Sequence, residues 1–381
     1  MDPRVLKEMM PYLTFEFGNP GSRHDCGKTA ANAVAHARKQ VADFFHCAPE
    51  QVIFTSGGSE GNNLVIKGLE DELRKRGQTT YLVSAVEHDS VLNAVRDMCI
   101  KRWFDCRIVQ PQKEGNPGCI GLEELIRAYG GNVGLVSVMA ANNETGIVND
   151  VRSIGEFCRE HGVLFHTDAV QLAGIEELDT SDVFPCDFMT VSSHKINGPK
   201  GMGAVFARDP SLLSPLISGG SAQEFGLRGG TENVAGIVGF GAACELTQQE
   251  QHRHFLKLLQ EHRFLRETLT EQAQAAGLEM VIHGNPSNIS PKTLNIAFPG
   301  IDAETMLIML NMKGVCCSAG SACTAHENTP SHVLTAMGID PEEARCSIRL
   351  SLSHMTKHEE LEEAAMIIIE SALAIKSMQN G

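Results

Sequence analysis

Short apolar runs rich in β-branched residues alternate with amphipathic helical stretches through about the first 210 residues of the chain. The runs predict strands, because they are short and apolar enough to be buried on both faces of a sheet. Helical patterns such as "SVLNAVRDMCIKRW" separate them, which favours an α/β layer with a largely parallel sheet. The predicted strands are residues 51–55, 80–85, 134–140, 163–168, 188–193 and 202–207.

The rest of the chain follows a different pattern. Residues 233–276 are almost continuously helical in pattern and predict one long helix, or two in sequence. Beyond them, the strands "TLNIAF" and "SIRLSLS", the helix "AETMLIMLNMKG" and a final helix from Lys357 suit a smaller α+β domain. We therefore expect a large α/β domain over residues 13–245 and a smaller domain over residues 246–381 together with residues 1–12.

Composition narrows the class of protein without naming its chemistry. A chain of 381 residues suits two domains, and no apolar run approaches the roughly 18 residues that span a bilayer. The amino-terminal residues mix charged and apolar side chains, so secretion is not expected. A formal net charge of −15 argues against nucleic acid as the main ligand. Twelve irregularly spaced cysteines suit free thiols in a reducing cytoplasm.

Two motifs place candidate ligand-binding groups just after predicted strands, where α/β sheets bind ligands. In "FTSGGSEGNN" a strand leads through Gly57 and Gly58 into a helix, whose first N–H groups favour an anion such as phosphate. A plain strand–helix turn is the alternative. In "HTDAVQ", Asp168 ends a strand, where a buried carboxylate would hold a protonated ring nitrogen or cap the following helix.

A third motif, "SSHKINGPKGMGAVF", places Lys195 beside His194 at the end of another strand. Burial and a neighbouring cation lower the pKa of a lysine and prepare it to form a Schiff base. A surface loop lysine is the alternative, and Lys200 fits that description better. A phosphate cradle, an acid for a ring nitrogen and a Schiff-base lysine are together what a pyridoxal phosphate site requires.

The ordered motifs resemble those of the cysteine desulfurases of the NifS/IscS type, which are fold-type-I pyridoxal phosphate enzymes of the class V aminotransferase group. The motifs that carry the resemblance are "FTSGGSEGNN", "EHDSVL", "ANNETG", "HTDAVQ", "SSHKINGPKG", "LRGGTENV", "GSACTA" and "SIRLSLS". The resemblance covers residues 2–374. It implies a large cofactor-binding domain with a mostly parallel seven-stranded sheet and a smaller carboxyl-terminal α+β domain.

The resemblance also implies roles for individual residues. Lys195 forms the Schiff base with pyridoxal 5'-phosphate, Asp168 pairs with the ring nitrogen, and His88 stacks on the ring and helps to move protons. A helix cap is the alternative for His88. Arg349 grips the substrate carboxylate with its planar fork, although a surface ion pair would also explain an arginine, and Asn143 lies near the substrate. The other cofactor contacts are Gly58, Ser59, Asn143, Gln171, Ser192 and His194.

Three cysteines lie close together in "GVCCSAGSACTAHENTPSHVL". Adjacent Cys316 and Cys317 are poorly spaced for zinc, and "KGVCC" predicts a short buried strand in which both pack as small hydrophobic side chains. Cys323 lies in a polar loop, where a partly exposed thiol can act as a nucleophile. By the resemblance, Cys323 attacks the sulfur of cofactor-bound cysteine and leaves alanine and an enzyme persulfide. The loop length matches relatives in which this loop travels to a sulfur-accepting partner.

We expect a cytoplasmic L-cysteine desulfurase with Cys323, Lys195 and His88 as catalytic residues. Thr231 resembles the residue that reaches the phosphate of the neighbouring subunit, which implies a homodimer. The sulfur acceptor is an unidentified protein, such as a scaffold of iron–sulfur cluster assembly or a tRNA-thiolation protein. A selenocysteine lyase or another class V enzyme would share most of these residues. A non-catalytic partner-binding protein is a further alternative, because Met1 stands where the family carries a strand and an Ala-Thr-Thr-Pro segment.

Overall fold

A computed structural model of the chain describes residues 1–181, 184–220, 222–285, 287–320 and 330–379. These residues separate into two compact units. The larger unit consists of Met1–Val109, Ile120–Ala140 and Asn149–Gln251. The smaller unit consists of Gln110–Cys119, Ala141–Val148 and His252–Gly381.

This division differs from the predicted domain boundaries at both ends of the large domain. Residues 1–12 lie in the larger unit, because Val5 and Met9 of the first helix are buried there and the Asp2 N–H donates to the Asn197 carbonyl at 2.8 Å. The long helix predicted over residues 233–276 is a single helix that continues past the end of the larger unit, so its sequence pattern carries no boundary signal.

A twisted sheet of seven strands forms the centre of the larger unit within its described residues. The strands are β1 (Val52–Thr55), β2 (Thr80–Ser84), β3 (Asp105–Val109), β4 (Val133–Ser137), β5 (Leu164–Asp168), β6 (Phe188–Ser192) and β7 (Gly203–Ala207). Their spatial order is β1-β7-β6-β5-β4-β2-β3. β7 is antiparallel to β1 and β6, and the other neighbouring strands are parallel. The predicted mostly parallel α/β fold is therefore confirmed.

Helices cover the sheet of the larger unit and bury their apolar stripes on it. Leu64, Val65 and Ile66 of the third helix are at most 2% exposed, and the buried Tyr81 hydroxyl of β2 donates to the Ile66 carbonyl at 2.9 Å. The helices are α1 (Pro3–Thr14), α2 (Asp25–Phe45), α3 (Gly58–Gly68), α4 (Glu70–Arg76), α5 (Asp89–Arg102), α6 (Leu122–Ala128), α7 (Val151–Glu160) and the first part of α8 (Val234–Ala275).

In its described part, the smaller unit has an antiparallel sheet of three strands packed with helices. The strands are β8 (Val281–His283), β9 (Thr293–Ala297) and β10 (Ser347–Ser351), in the order β10-β9-β8. The helices are the end of α8, α9 (Ala303–Met312), α10 (His332–Ala336), α11 (Pro341–Arg345) and α12 (His358–Gln379). The predicted α+β character of this part is therefore confirmed.

The prediction of a buried strand at "KGVCC" is wrong. Helix α9 ends at Met312, and the chain then turns through Gly314, whose φ is +86°. Cys316 is exposed and Cys317 is half-buried, and neither lies in a strand. Extended pairing begins only at Ser318, which forms an isolated antiparallel bridge with Arg349 of β10. No helix in the described part of the chain is long and apolar enough to cross a membrane.

Candidate active site

The carboxyl ends of several strands of the larger unit bring candidate residues to one edge of the sheet. β2, β5 and β6 belong to the parallel part of the sheet, and β1 runs in their direction because β7 lies antiparallel between it and β6. His88 follows β2, Asp168 ends β5, and Lys195 follows β6. Parallel sheets bind ligands at this edge, so the positions match the predicted site.

Two glycines allow a close approach of backbone where β1 turns into α3. Gly57 has a φ of +152°, which favours glycine. A Cβ on Gly203, the first residue of β7, would stand 2.8 Å from the Gly57 Cα and 2.7 Å from the Val191 carbonyl oxygen. Gly203 pairs with both Thr55 and Ser192. The turn before α3 and the end of β6 therefore converge across the start of β7.

The predicted phosphate contacts Gly58 and Ser59 form the first turn of α3. Gly58 is half-buried and Ser59 is exposed. A Cβ on Gly58 would stand 2.9 Å from Val170 Cγ2, so a larger residue there would push the helix start away from the loop after β5. The first N–H groups of this 11-residue helix form its positive end, which lies where the turn after β1 and the end of β6 converge.

Asp168 is only 5% exposed, and both of its carboxylate oxygens accept hydrogen bonds. Asn62 of α3 donates through Nδ2 to Oδ2 at 2.7 Å, and the Val170 N–H donates to Oδ1 at 3.0 Å. The second bond closes a turn after β5, and no described helix begins there, so the helix-cap alternative for Asp168 does not apply. Asp168 is thus a buried carboxylate held in one orientation.

A chain of hydrogen bonds joins Asp168 to His88. Asn62 Nδ2 also donates to Ser90 Oγ at 2.9 Å, and Ser90 Oγ lies 2.8 Å from His88 Nδ1. The Ser90 N–H donates to the same Nδ1 at 3.1 Å, which caps α5 and makes Nδ1 an acceptor. The geometry therefore assigns the proton of the neutral ring to Nε2. His88 both caps α5 and belongs to the network of Asp168.

Glu87, next to His88, is fully buried. Its Oε1 accepts from Ser84 Oγ at 2.5 Å and from the Met139 N–H at 2.6 Å. The pKa of Glu87 is raised to about 8: burial is the main cause and the charge of Asp168 adds to it, while the two hydrogen bonds act in the opposite direction. Glu87 is therefore largely protonated at neutral pH, which limits the negative charge beside Asp168.

Lys195 lies in a short 3-10 helix, Ser193–Ile196, that directly follows β6. Lys195 is half-buried whereas Lys200 is exposed. Ser192 Oγ and His194 Nδ1 are 2.9 Å apart. Desolvation lowers the pKa of His194, and the charges of Lys195 and Lys200 lower it further, so the ring favours its neutral form. Ser192, His194 and Lys195 thus form one polar cluster at the carboxyl end of β6.

Gln171 and Thr231 lie in loops of the larger unit. Gln171 is half-buried, three residues after Asp168. Thr231 is exposed and lines a cavity of about 280 Å³ together with Thr55, Ser56 and Arg228. This cavity adjoins the turn between β1 and α3. The predicted contact of Thr231 with a neighbouring subunit stays a prediction.

A buried ion pair supports the loop that precedes Thr231. Glu224, 5% exposed, accepts from Arg38 Nη1 at 3.0 Å and Nη2 at 2.5 Å, and from the Phe54 N–H of β1 at 2.7 Å. Its φ of +42° is unusual for a residue with a side chain. The two charge-assisted bonds hold Glu224 in this conformation and fix the loop to β1.

The smaller unit brings two further predicted residues together. Arg349 of β10 is half-buried and donates through Nη1 to the Asn143 carbonyl at 2.9 Å. Its backbone exchanges two hydrogen bonds with Ser318, at 2.6 and 3.2 Å. Arg349 is therefore held by the chain that precedes the predicted nucleophile. Cys323 itself lies outside the residues that the structure describes.

Several residues of the network were not assigned a role from the sequence. Asn62, Glu87 and Ser90 all lie within or beside the quoted motifs "FTSGGSEGNN" and "EHDSVL". Asn62 is 1% exposed and its polar amide is the kind of residue that is buried only with partners. A polar residue on the inward face of a helical pattern, here α3, is the signal that could have identified it.

A mostly parallel sheet with acid, imidazole, hydroxyl and amine groups at its carboxyl edge is an α/β arrangement of the kind that binds ligands at that edge. The chain belongs to the aminotransferase class-V family, whose family model matches residues 1–363.

Individual relatives narrow this assignment. The chain is 39% identical to a mitosomal cysteine desulfurase of Trachipleistophora hominis, over 100% of this chain and 85% of the relative. A solved NifS-like protein superposes with a TM-score of 0.87 at 32% identity, covering 97% of this chain and 95% of that one. A structure described as SspA in complex with cysteine superposes with a TM-score of 0.77 at 33% identity, covering 94% and 97%. The resemblance to NifS-type cysteine desulfurases is confirmed.

Proposed function

We propose that this chain is a pyridoxal phosphate-dependent cysteine desulfurase that acts on L-cysteine. The observation that carries the proposal is the position of Asp168 and of the segment that ends in Lys195, at the carboxyl ends of the adjacent parallel strands β5 and β6. A pyridoxal phosphate site needs an acid for the ring nitrogen and an amine for the cofactor aldehyde. The relatives named as cysteine desulfurases and the relative bound to cysteine support the substrate.

The residues at the sheet edge suit pyridoxal phosphate. Gly203 lets the turn at Gly57 lie against β7, Gly57 leaves open space toward Ser192 Oγ, and together they form the proposed phosphate cradle, for which the N-terminus of α3 supplies donors. Ser192 and His194 add a hydroxyl and an imidazole beside it. Asp168 is a buried carboxylate with a fixed orientation, as the partner of a protonated ring nitrogen has to be. When bound, this cofactor supplies an electron sink for bonds at an amino acid substrate.

Each residue of the network then has a definite task. Asp168 keeps the ring nitrogen protonated, and Asn62 keeps the Asp168 carboxylate in place. Lys195 supplies the amine that holds the cofactor, with Gly58, Ser59, Ser192 and His194 on its phosphate. Gln171 contacts the phenolic oxygen. His88 carries a proton at Nε2 and moves protons at the substrate.

The smaller unit supplies the substrate grip and the nucleophile in this proposal. Arg349 binds the carboxylate of cysteine through two parallel hydrogen bonds, with Asn143 beside the substrate. The Cys323 thiolate attacks the substrate sulfur, the S–S bond forms, and the bond between that sulfur and the substrate Cβ breaks. Cysteine and the enzyme thiol become alanine and an enzyme persulfide, so atoms and electrons balance without an external oxidant.

The proposal extends to the assembly and to the fate of the sulfur. Thr231 completes the phosphate site of a second copy in a homodimer, and its exposed position at the cavity beside Ser56 is compatible with this role. The persulfide passes to an acceptor protein, for which iron–sulfur cluster assembly and tRNA thiolation are candidate destinations. The cytoplasm is the proposed location. The comparisons do not favour a selenocysteine lyase or a non-catalytic protein.

The test measures sulfide and alanine released from L-cysteine by the purified, cofactor-loaded protein. Lys195→Ala is expected to lose activity by at least about 1,000-fold, and Lys200→Ala, the exposed neighbour, is expected to keep it. Cys323→Ser is expected to abolish both products. Cys316→Ser is the matched control, because that thiol is exposed and lies in the same stretch.

Two results would contradict the proposal. Equal sulfide release by Cys323→Ser and wild type would remove Cys323 from the reaction. Retention of covalently reducible cofactor by Lys195→Ala, measured by mass after borohydride treatment, would move the cofactor lysine elsewhere.

A further inference from the structure

Glu144 is a buried acid of the smaller unit, 1% exposed, that has no role in the proposed reaction so far. Its backbone is fixed on both sides: its N–H donates to Asn142 Oδ1 at 2.9 Å, and its carbonyl accepts from Asn295 Nδ2 at 3.2 Å. The Glu144 bond closes an Asx turn, and Asn142 Oδ1 also accepts from the Thr145 N–H at 3.0 Å. The turn therefore fixes the backbone that carries the buried Glu144 carboxylate. A buried carboxylate needs partners, and the partners of Glu144 suggest its role.

The Glu144 carboxylate bonds to one end of the stretch that contains Cys323 and lies close to the other end. Ser331 Oγ donates to Glu144 Oε2 at 2.5 Å. A Cβ built on Gly320 would stand 3.4 Å from the same Oε2 and 3.8 Å from Ser331 Cβ. The chain thus departs from this carboxylate at Gly320 and is back beside it at Ser331. Closing a loop at one point costs chain entropy, which the charge-assisted hydrogen bond offsets.

The same turn also holds the proposed substrate arginine. The carbonyl of Asn143, the residue before Glu144, accepts from Arg349 Nη1 at 2.9 Å. The Arg349 backbone is bridged to Ser318, two residues before Gly320. Two consecutive residues of one turn therefore accept hydrogen bonds from the proposed substrate arginine and from Ser331, which follows the nucleophile-bearing stretch.

We propose that Glu144 is a positioning residue for sulfur transfer, which sets the ends of the Cys323 stretch in register with Arg349. This inference rests on the proposed desulfurase function. Glu144 acts through Ser331, beside Gly320, so its loss frees the ends of the nucleophile-bearing stretch, whereas the bond between Arg349 and the Asn143 carbonyl does not depend on its carboxylate. A displacement of about 1 Å costs up to roughly 100-fold in rate.

The test uses the full-length, cofactor-loaded protein and measures kcat and KM for L-cysteine in the wild type and in each variant. Glu144→Ala and Ser331→Ala are each expected to lower kcat at least about tenfold while KM stays within about twofold. Ser331→Thr keeps a hydroxyl and is expected to restore kcat. Asp340→Ala is the matched control: it removes an N-cap from α11 in the same unit, as Ser331→Ala does from α10, and is expected to keep kcat.

A kcat within twofold of wild type in both Glu144→Ala and Ser331→Ala would overturn the proposal. So would an equal loss in Asp340→Ala, because general destabilisation would then explain the effect. If Glu144→Ala does not fold, Ser331→Ala and its Ser331→Thr rescue decide alone.

Hydrogen exchange of the backbone amides tests the role of Glu144 without relying on enzyme activity, so it distinguishes failure of this inference from failure of the proposed function. If the wild type releases no sulfide, the desulfurase proposal fails, and exchange at residues 315–320 and 330–336 still tests the anchor. Both segments are expected to exchange at least about tenfold faster in Glu144→Ala than in wild type or Asp340→Ala, as for a lost buried charge-assisted bond. Unchanged exchange in both segments would overturn the inference whatever the activity.

Discussion

Gly203→Ala tests the phosphate cradle most directly. The added Cβ would stand 2.8 Å from the Gly57 Cα and 2.7 Å from the Val191 carbonyl oxygen, and both are backbone atoms. Ordinary carbon–carbon contacts begin at roughly 3.5 Å, so the turn at Gly57 has to withdraw by about 0.7 Å. That turn leads into the helix N-terminus proposed to bind the phosphate. One methyl group at this position therefore widens the cradle without touching Asp168 or Lys195.

The expected magnitude follows from the cost of overpacking, about 1–3 kcal/mol for one methyl group in a tightly packed site. If the displaced cradle loses that amount of phosphate binding, the Kd for pyridoxal phosphate rises about 5- to 150-fold. The Kd for pyridoxal, which lacks the phosphate, changes much less. Calorimetric titration of the cofactor-free protein with each compound measures both constants.

The control for this experiment is Gly21→Ala, whose added Cβ would meet only the flexible Asn19 side chain, at 3.3 Å. It is expected to bind both compounds as the wild type does. Two results would refute the reasoning: a folded Gly203→Ala protein with an unchanged Kd for pyridoxal phosphate, or an equal loss of affinity for pyridoxal. The second result would mean that the methyl group disturbs the ring site and not the cradle.

Three further predictions concern buried groups. Arg38→Met leaves the Glu224 carboxylate without its ion-pair partner and is expected to lower the free energy of unfolding by about 3–5 kcal/mol, measured as a lower urea midpoint. The double variant Arg38→Met/Glu224→Leu is expected to recover part of this loss. No recovery would exclude the ion pair as the cause. Burial raises the pKa of Glu87 in the folded state to about 8, so its contribution to stability is complete below pH 4.5 and is lost as pH rises to 8. The melting temperature of Glu87→Gln should therefore change less between pH 5 and 8 than that of the wild type. Parallel pH profiles of the two proteins would contradict this. Asn62→Leu removes the amide that donates to Asp168, and the folded variant is expected to have a kcat at least about tenfold lower, measured as sulfide release. Full activity of this variant would show that Asp168 does not need the hydrogen bond from Asn62.

The sequence predicts the sheet well where strands are buried and poorly where they are exposed. β1, β4 and β5 are buried along their whole length, and the sequence run that predicts each strand places both of its ends within three residues of their positions in the structure. β3 was not predicted, because Asp105, Arg107 and Ile108 are exposed at the edge of the sheet. Only its backbone pairing with β2 makes it a strand, and pairing leaves no mark in the side-chain pattern.

The candidate site divides in a similar way. Resemblance between motifs predicts Asp168, Lys195 and Arg349 as site residues, because each is a distinctive residue type at a fixed place in a motif. It does not identify the supporting contacts, since these join residues far apart in the chain. Asn62 and Asp168 are 106 positions apart, and Ser331 and Glu144 are 187 apart. The wrong prediction for Cys316 has a local origin: after α9 ends at Met312, the turn at Gly314 leaves Cys316 exposed.

The third glycine of "SGGSEGNN" links the motif to the network behind it. A Cβ on Gly61 would stand 2.7 Å from Thr190 Cγ2 of β6 and 3.0 Å from Val205 Cγ2 of β7, so only glycine lets α3 lie this close to the sheet. Asn62, the next residue, reaches Asp168 on β5 only because the helix lies there. The glycines of this motif therefore differ in what they do: Gly57 and Gly58 shape the start of α3, the proposed anion site, and Gly61 sets the distance from which Asn62 holds the acid.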